Sequence, residues 1–162
     1  MNKILAILLL TTVLSCNSYT GEFRDIKKNT FTISLPDWIE ETDDLAPHAL
    51  YQFKSKYRNT YGIIVKDDKN KFFEDYQKDA VNVLKNYESL TNLLVTDSTY
   101  NKNKISLELL GDLESEKIFY WHNTYESENN FYQLVLWTRS YDRKQKYGPV
   151  IEEIIASFKI KD

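Results

Sequence analysis

Phe31, Ile33 and Leu35 alternate with Thr30, Thr32 and Ser34, and the run stops at Pro36. A period of two marks a strand with one face buried, and Pro ends it because it has no N–H for a ladder. Residues 49–54 and 59–66 repeat the pattern across a short connection at 56–58, so they are expected to pair as a hairpin. The period then lengthens. Phe72, Phe73, Tyr76, Ala80, Val83, Leu84 and Tyr87 recur every three or four residues, predicting an amphipathic helix over 70–87 whose stripe faces a core. Residues 88–103 fit two readings, a helix tail over 89–94 or an edge strand near 95–100. Ile105, Leu107 and Leu109 alternate into a strand ending near Gly111. Gly148 and Pro149 open a last helix with Val150, Ile151, Ile154, Ile155 and Phe158 on one face, Pro standing where its missing N–H costs little.

Between these lies the stretch that organises the rest. Residues 117–139 hold seven Phe, Tyr or Trp residues in two strand-like runs around the polar connector Glu126, Ser127, Glu128, Asn129 and Asn130. Such a connector suits a tight antiparallel reversal. A turn centred on Glu128 and Asn129 pairs odd with even positions, which assigns both faces of the hairpin. One carries Phe119, Trp121, Tyr125, Tyr132, Leu134 and Leu136. The other carries Ile118, Tyr120, His122, Thr124, Gln133, Val135, Trp137 and Arg139, a mixed set. Both faces are apolar enough to need cover, so the hairpin belongs in the middle of a sheet with material on each side.

The N-terminus points to export. Lys3 is followed by an apolar run too short to span a bilayer, which reads as a signal peptide over residues 1–15. Val13, Leu14, Ser15 and Cys16 resemble the lipobox of bacterial lipoproteins, and the chain's single cysteine stands where diacylation would need it. Residues 16–29 are expected to form a lipid-anchored tether, and residues 30–162 one folded domain. Asn17 is not the aspartate that would resemble inner-membrane retention. The expected location is therefore the outer membrane, facing the periplasm. Without Lys3 the mature chain keeps all 24 acidic residues against one fewer than its 21 basic ones, a balance of minus four. Scattered lysines and an acidic balance argue against nucleic acid, and the run from Arg143 to Lys146 reads as a solvated loop.

Little in the chain promises catalysis. There are two histidines, His48 and His122, and nothing resembles a metal-ligand pair, a nucleophile elbow or a phosphate loop. Only four glycines are present, and the acids over 37–44 lack the alternation and central glycine of a calcium loop. The expectation is no enzyme, no metal and no cofactor.

Taken together, the strand from Phe31 to Pro36 with Trp38 close behind, the helix over 70–87, the strand ending at Gly111, the tyrosine-rich hairpin and the close from Ile154 to Lys159 resemble the PsbP-like fold. That family includes the extrinsic photosystem II proteins and bacterial lipoproteins such as the DcrB group. The resemblance implies an α+β domain, an antiparallel sheet of about six strands packed with helices, acting without catalysis of its own. It carries over no fixed site residues. The expected function is a membrane-tethered binding or assembly module with an envelope protein as partner. A small-molecule or glycan carrier and a carboxylate-based hydrolase are the alternatives. The mixed hairpin face supplies the candidate binding residues Tyr120, His122, Gln133, Trp137 and Arg139, and the loop around Trp38 is a second candidate surface.

Overall fold

The computed structural model describes residues 21–86 and 90–161. At its centre the hairpin forms as its register predicts. Strand β8 (Glu116–Glu126) pairs with β9 (Asn130–Arg139) so that Ile118 meets Arg139, Tyr120 meets Trp137 and Tyr125 meets Tyr132. Every pair joins an odd to an even position, and each side chain falls on the face assigned to it from the sequence.

The chain around the hairpin builds one large and one small antiparallel sheet. The large sheet has seven strands in the order β3 (Glu40–Glu41), β4 (Tyr51–Ser55), β5 (Thr60–Asp68), β9, β8, β7 (Lys104–Leu113) and β6 (Thr91–Asn101). The small sheet places β2 (Phe31–Pro36) between β1 (Phe23–Lys27) and β10 (Lys159–Ile160). Helix α1 (Phe73–Asn86) lies on one side of the large sheet, and helix α2 (Tyr141–Ser157) with the small sheet on the other. The fold is α+β as expected, with seven strands in the large sheet where about six were expected and ten strands in all among the described residues.

Two apolar clusters sandwich the large sheet. Trp121, Tyr132, Leu134 and Leu136 pack with Phe31, Ile33, Val150, Ile151 and Ile154 on the α2 side. Ile118, Tyr120, Phe131 and Val135 pack with Phe73 and Tyr76 on the α1 side. Both faces of a central hairpin are buried because each has helix or sheet to cover it. Gly62 has a packing reason of its own. A Cβ there would come within 2.3 Å of the ring of Phe53, a residue with no exposed surface, so the backbone of β5 approaches β4 as only glycine allows.

Four expectations are corrected and one open alternative is settled. Part of the tether expected over 16–29 is strand: Phe23–Lys27 pairs with β2 through contacts such as Ile26 opposite Ile33, and Phe23 and Ile26 pack on the core. Helix α2 begins at Tyr141, so Pro149 lies inside it. Its first turns include the run from Arg143 to Lys146 that read as a loop. Lys144 reaches Glu108 at 2.9 Å and lies over the Phe119 ring at 5.2 Å, giving those turns a sheet to dock on. Residues 91–101 are an edge strand, which settles the ambiguity over 88–103 against the helix tail. Finally, the stripe of α1 is only partly buried: Phe73, Tyr76 and Ala80 face inward, whereas Phe72 and Val83 are exposed. No described helix is long and apolar enough to cross a membrane.

Candidate functional site: a cavity beneath helix α1

Helix α1 is held to the sheet mainly at its N-terminal end. Tyr76 stacks on Phe131 at 4.3 Å between ring centroids, and Phe73 stacks on the same ring at 5.9 Å. Further along, the helix and the sheet leave a cavity of about 750 Å³ between them. Its helix wall is Ala80, Val83 and Leu84, its floor is Ile63, Val65, Tyr120, Val135 and Trp137, and the loop from Leu45 to Ala49 closes one side. Val83 is exposed as well as lining, so the cavity opens to solvent beside it. Its size lies within the roughly 300–1,000 Å³ of small-molecule pockets, and its walls are mostly apolar as theirs are.

One connected set of polar groups enters this cavity. The amide nitrogen of Gln133 donates to the Tyr76 hydroxyl at 2.8 Å, and that hydroxyl donates to the Asp67 carboxylate. With its nitrogen turned to Tyr76, Gln133 presents its Oε1 to His122 Nε2 at 3.3 Å. Nε2 therefore carries the imidazole proton, and Nδ1 accepts from the Thr124 hydroxyl at 3.5 Å. The donors run in one direction, from Thr124 through His122, Gln133 and Tyr76 to the carboxylate. His122 is 1% exposed, and burial brings its pKa down to about 4, against the weaker upward pull of Gln133. It is a neutral imidazole at neutral pH. Burial first, and the Asp67 hydrogen bond second, push the Tyr76 hydroxyl well above its ordinary range.

Of the residues singled out from the sequence, Tyr120, His122, Gln133 and Trp137 line the cavity together. Arg139 does not. It lies on the same hairpin face but at its end, opposite Ile118, with its guanidinium 3.6 Å from Glu116. Trp38 belongs to the other side of the sheet, where it packs on Tyr147 at 5.6 Å beneath the Arg58 guanidinium. Cys16 lies outside the described residues. Sequence reasoning missed Tyr76 and Asp67. The signal for Tyr76 was a phenol within an otherwise apolar helical stripe, since a buried hydroxyl requires a partner. Among the described residues no Ser, Thr or Cys lines the cavity, and Lys71 at its edge is held by Asp79 at 2.7 Å. Among the described residues no three His, Cys, Asp or Glu side chains are grouped to hold a metal. The arrangement can enclose an apolar molecule and hydrogen-bond to one end of it.

No protein-family model matches the chain, and no curated protein matches it in sequence. Solved structures do resemble it. The Ran-binding protein Mog1p of Saccharomyces cerevisiae superposes with a TM-score of 0.68 at 7% identity, over 88% of this chain and 97% of Mog1p. CyanoP, the cyanobacterial PsbP of Synechocystis, gives 0.62 at 11% identity over 93% and 99% of the two chains. LpqN, involved in cell envelope biogenesis of Mycobacterium tuberculosis, gives 0.53 at 12% identity over 87% and 91%. The chain thus has the Mog1/PsbP-like fold. At these identities the likeness concerns the fold alone.

Proposed function

We propose that the protein is a lipid-anchored envelope protein that works as a non-catalytic binding module, and that it binds a small apolar molecule in the cavity beneath α1. The observation that carries this reading is the cavity itself, about 750 Å³ of mostly apolar space with the Tyr76–Gln133–His122 network at one wall. The neutral His122, already bonded through both ring nitrogens, has no free lone pair with which to act as a base. That weighs against the hydrolase alternative. Envelope residence is supported by the lipobox-like Val13 to Cys16 and by a fold shared with LpqN and CyanoP. The carrier reading is favoured over a protein partner because a concave, partly closed space suits a small ligand better than a flat interface.

Mass spectrometry of the full chain purified gently from its native membrane tests the proposal. A co-purifying apolar molecule is expected, and it should be lost when Ala80→Phe or Leu84→Trp fills the cavity. A ligand-free native protein, or one whose ligand survives both substitutions, would refute the carrier reading. A protein partner is the second reading, favoured by the edge strand β6, on which Leu94, Val95 and Tyr100 are exposed. Edge strands accept a partner's strand by backbone pairing, and crosslinking in the native cell followed by membrane pull-down would find such a partner.

A further inference from the structure

We infer that the ligand of this cavity carries a hydrogen-bond-donating head group, an amine in preference to a hydroxyl, and that carboxylate-headed lipids such as fatty acids are rejected. The inference rests on the cavity being the binding site and adds the chemistry of what it selects.

The direction of the hydrogen-bond chain is the first ground. The imidazole proton of His122 is committed to Gln133, the Tyr76 proton to Asp67, and one amide proton of Gln133 to Tyr76. The other amide proton faces Asp67 Oδ2 at 3.5 Å. What the network has left to offer a guest is lone pairs, on the Asp67 carboxylate and on Gln133 Oε1. A guest that brings a donor completes these groups. A guest that brings only acceptors finds every proton of this network already committed.

Charge is the second ground. Among the described residues three carboxylates line the cavity, Asp67, Asp68 and Asp79, against one lysine, Lys71, which Asp79 already holds. Asp67 is half-buried beside apolar walls, where its field is weakly screened. It attracts an ammonium and repels a carboxylate at the same position. The apolar floor and helix wall then accept an alkyl chain behind the head group.

The test is calorimetric titration of the full chain with decylamine, decanol and decanoate, each below its micellar concentration. Decylamine should bind at least about tenfold more tightly than decanoate, since one ion contact in a poorly screened site readily supplies that ratio, with decanol between them. Asp67→Asn should collapse the ratio to roughly threefold or less while decanol still binds. Trp137 lines the cavity, so its fluorescence should change with each ligand in the native protein and stay unchanged when the cavity-filled Ala80→Phe variant is titrated in the same way. Equal or tighter binding of decanoate overturns the head-group inference and leaves the carrier reading standing. An unchanged ratio in a folded Asp67→Asn protein also overturns it. Failure of all three alkyl compounds to bind, with a native apolar ligand found by mass spectrometry, overturns the inference alone; failure with no native ligand overturns both.

Discussion

The Gln133 side chain in β9 donates to the hydroxyl of Tyr76 in α1 at 2.8 Å, across 57 residues of chain. This bond connects the sheet to the helix that roofs the cavity, and through Gln133 it reaches the buried His122. Gln133→Ala leaves the imidazole N–H without its acceptor. A buried polar group stripped of its partner costs about 1–3 kcal/mol, so urea unfolding should show a loss of that size. Unchanged stability would mean the amide has no structural task.

Acid should weaken the fold through His122. Its folded pKa, about 4, lies below the ordinary 6.5, so between those values the unfolded chain takes up a proton that the folded chain refuses. The contribution is fully present above pH 6.5, is lost as pH falls towards 4, and is constant below that. At about 1.4 kcal/mol per unit, the loss is on the order of 3 kcal/mol. Unfolding free energy followed from pH 7 to pH 4.5 should fall more steeply for the native protein than for His122→Asn, and parallel curves would refute the assignment.

The two helices should respond differently to truncation. Ile154 in α2 has no exposed surface, and Ile154→Ala should cost about 2–5 kcal/mol. Val83 in α1 is 65% exposed, so Val83→Ala should stay within about 0.5 kcal/mol. Thermal melting distinguishes them, and equal losses would place Val83 in a core.

Gly62→Ala puts a methyl group against the Phe53 ring. Overpacking of this kind typically costs about 1–3 kcal/mol. Phe53→Leu should recover part of the loss in the double variant, a coupling that a double-mutant cycle reads directly. Additive losses would show that the two positions do not meet.

Acylation is expected at Cys16. Growth with a clickable palmitate analogue should label the native chain and leave Cys16→Ser unlabelled, with the variant shifting from the membrane to the soluble fraction. Label retained by the variant would rule out the anchor.

The hairpin was legible in the sequence because its faces depend only on parity about the turn at Glu128 and Asn129, a local property. Tyr120, His122, Gln133 and Trp137 were brought together for that reason. Tyr76 and Asp67 were not, because the bonds that join them to Gln133 span 57 and 66 residues and depend on how α1 docks. Strand β6 was ambiguous for a different reason. At the sheet edge nearly all its side chains are exposed, so no buried face imposes a period of two. The start of α2 was hidden by Pro149, whose preference for a first helical turn is overridden by burial of Tyr147, Gly148 and Val150 against the sheet.

Strand β1 changes how far the protein can roam. A leash of residues 17–29 would reach about 45 Å, but the small sheet claims the chain from Phe23, leaving residues 17–22 and a maximum of roughly 20 Å. With Cys16 acylated, the domain would hover within about its own radius of the bilayer and drift sideways with its lipid. Its encounters would then be confined to molecules in or close to that leaflet.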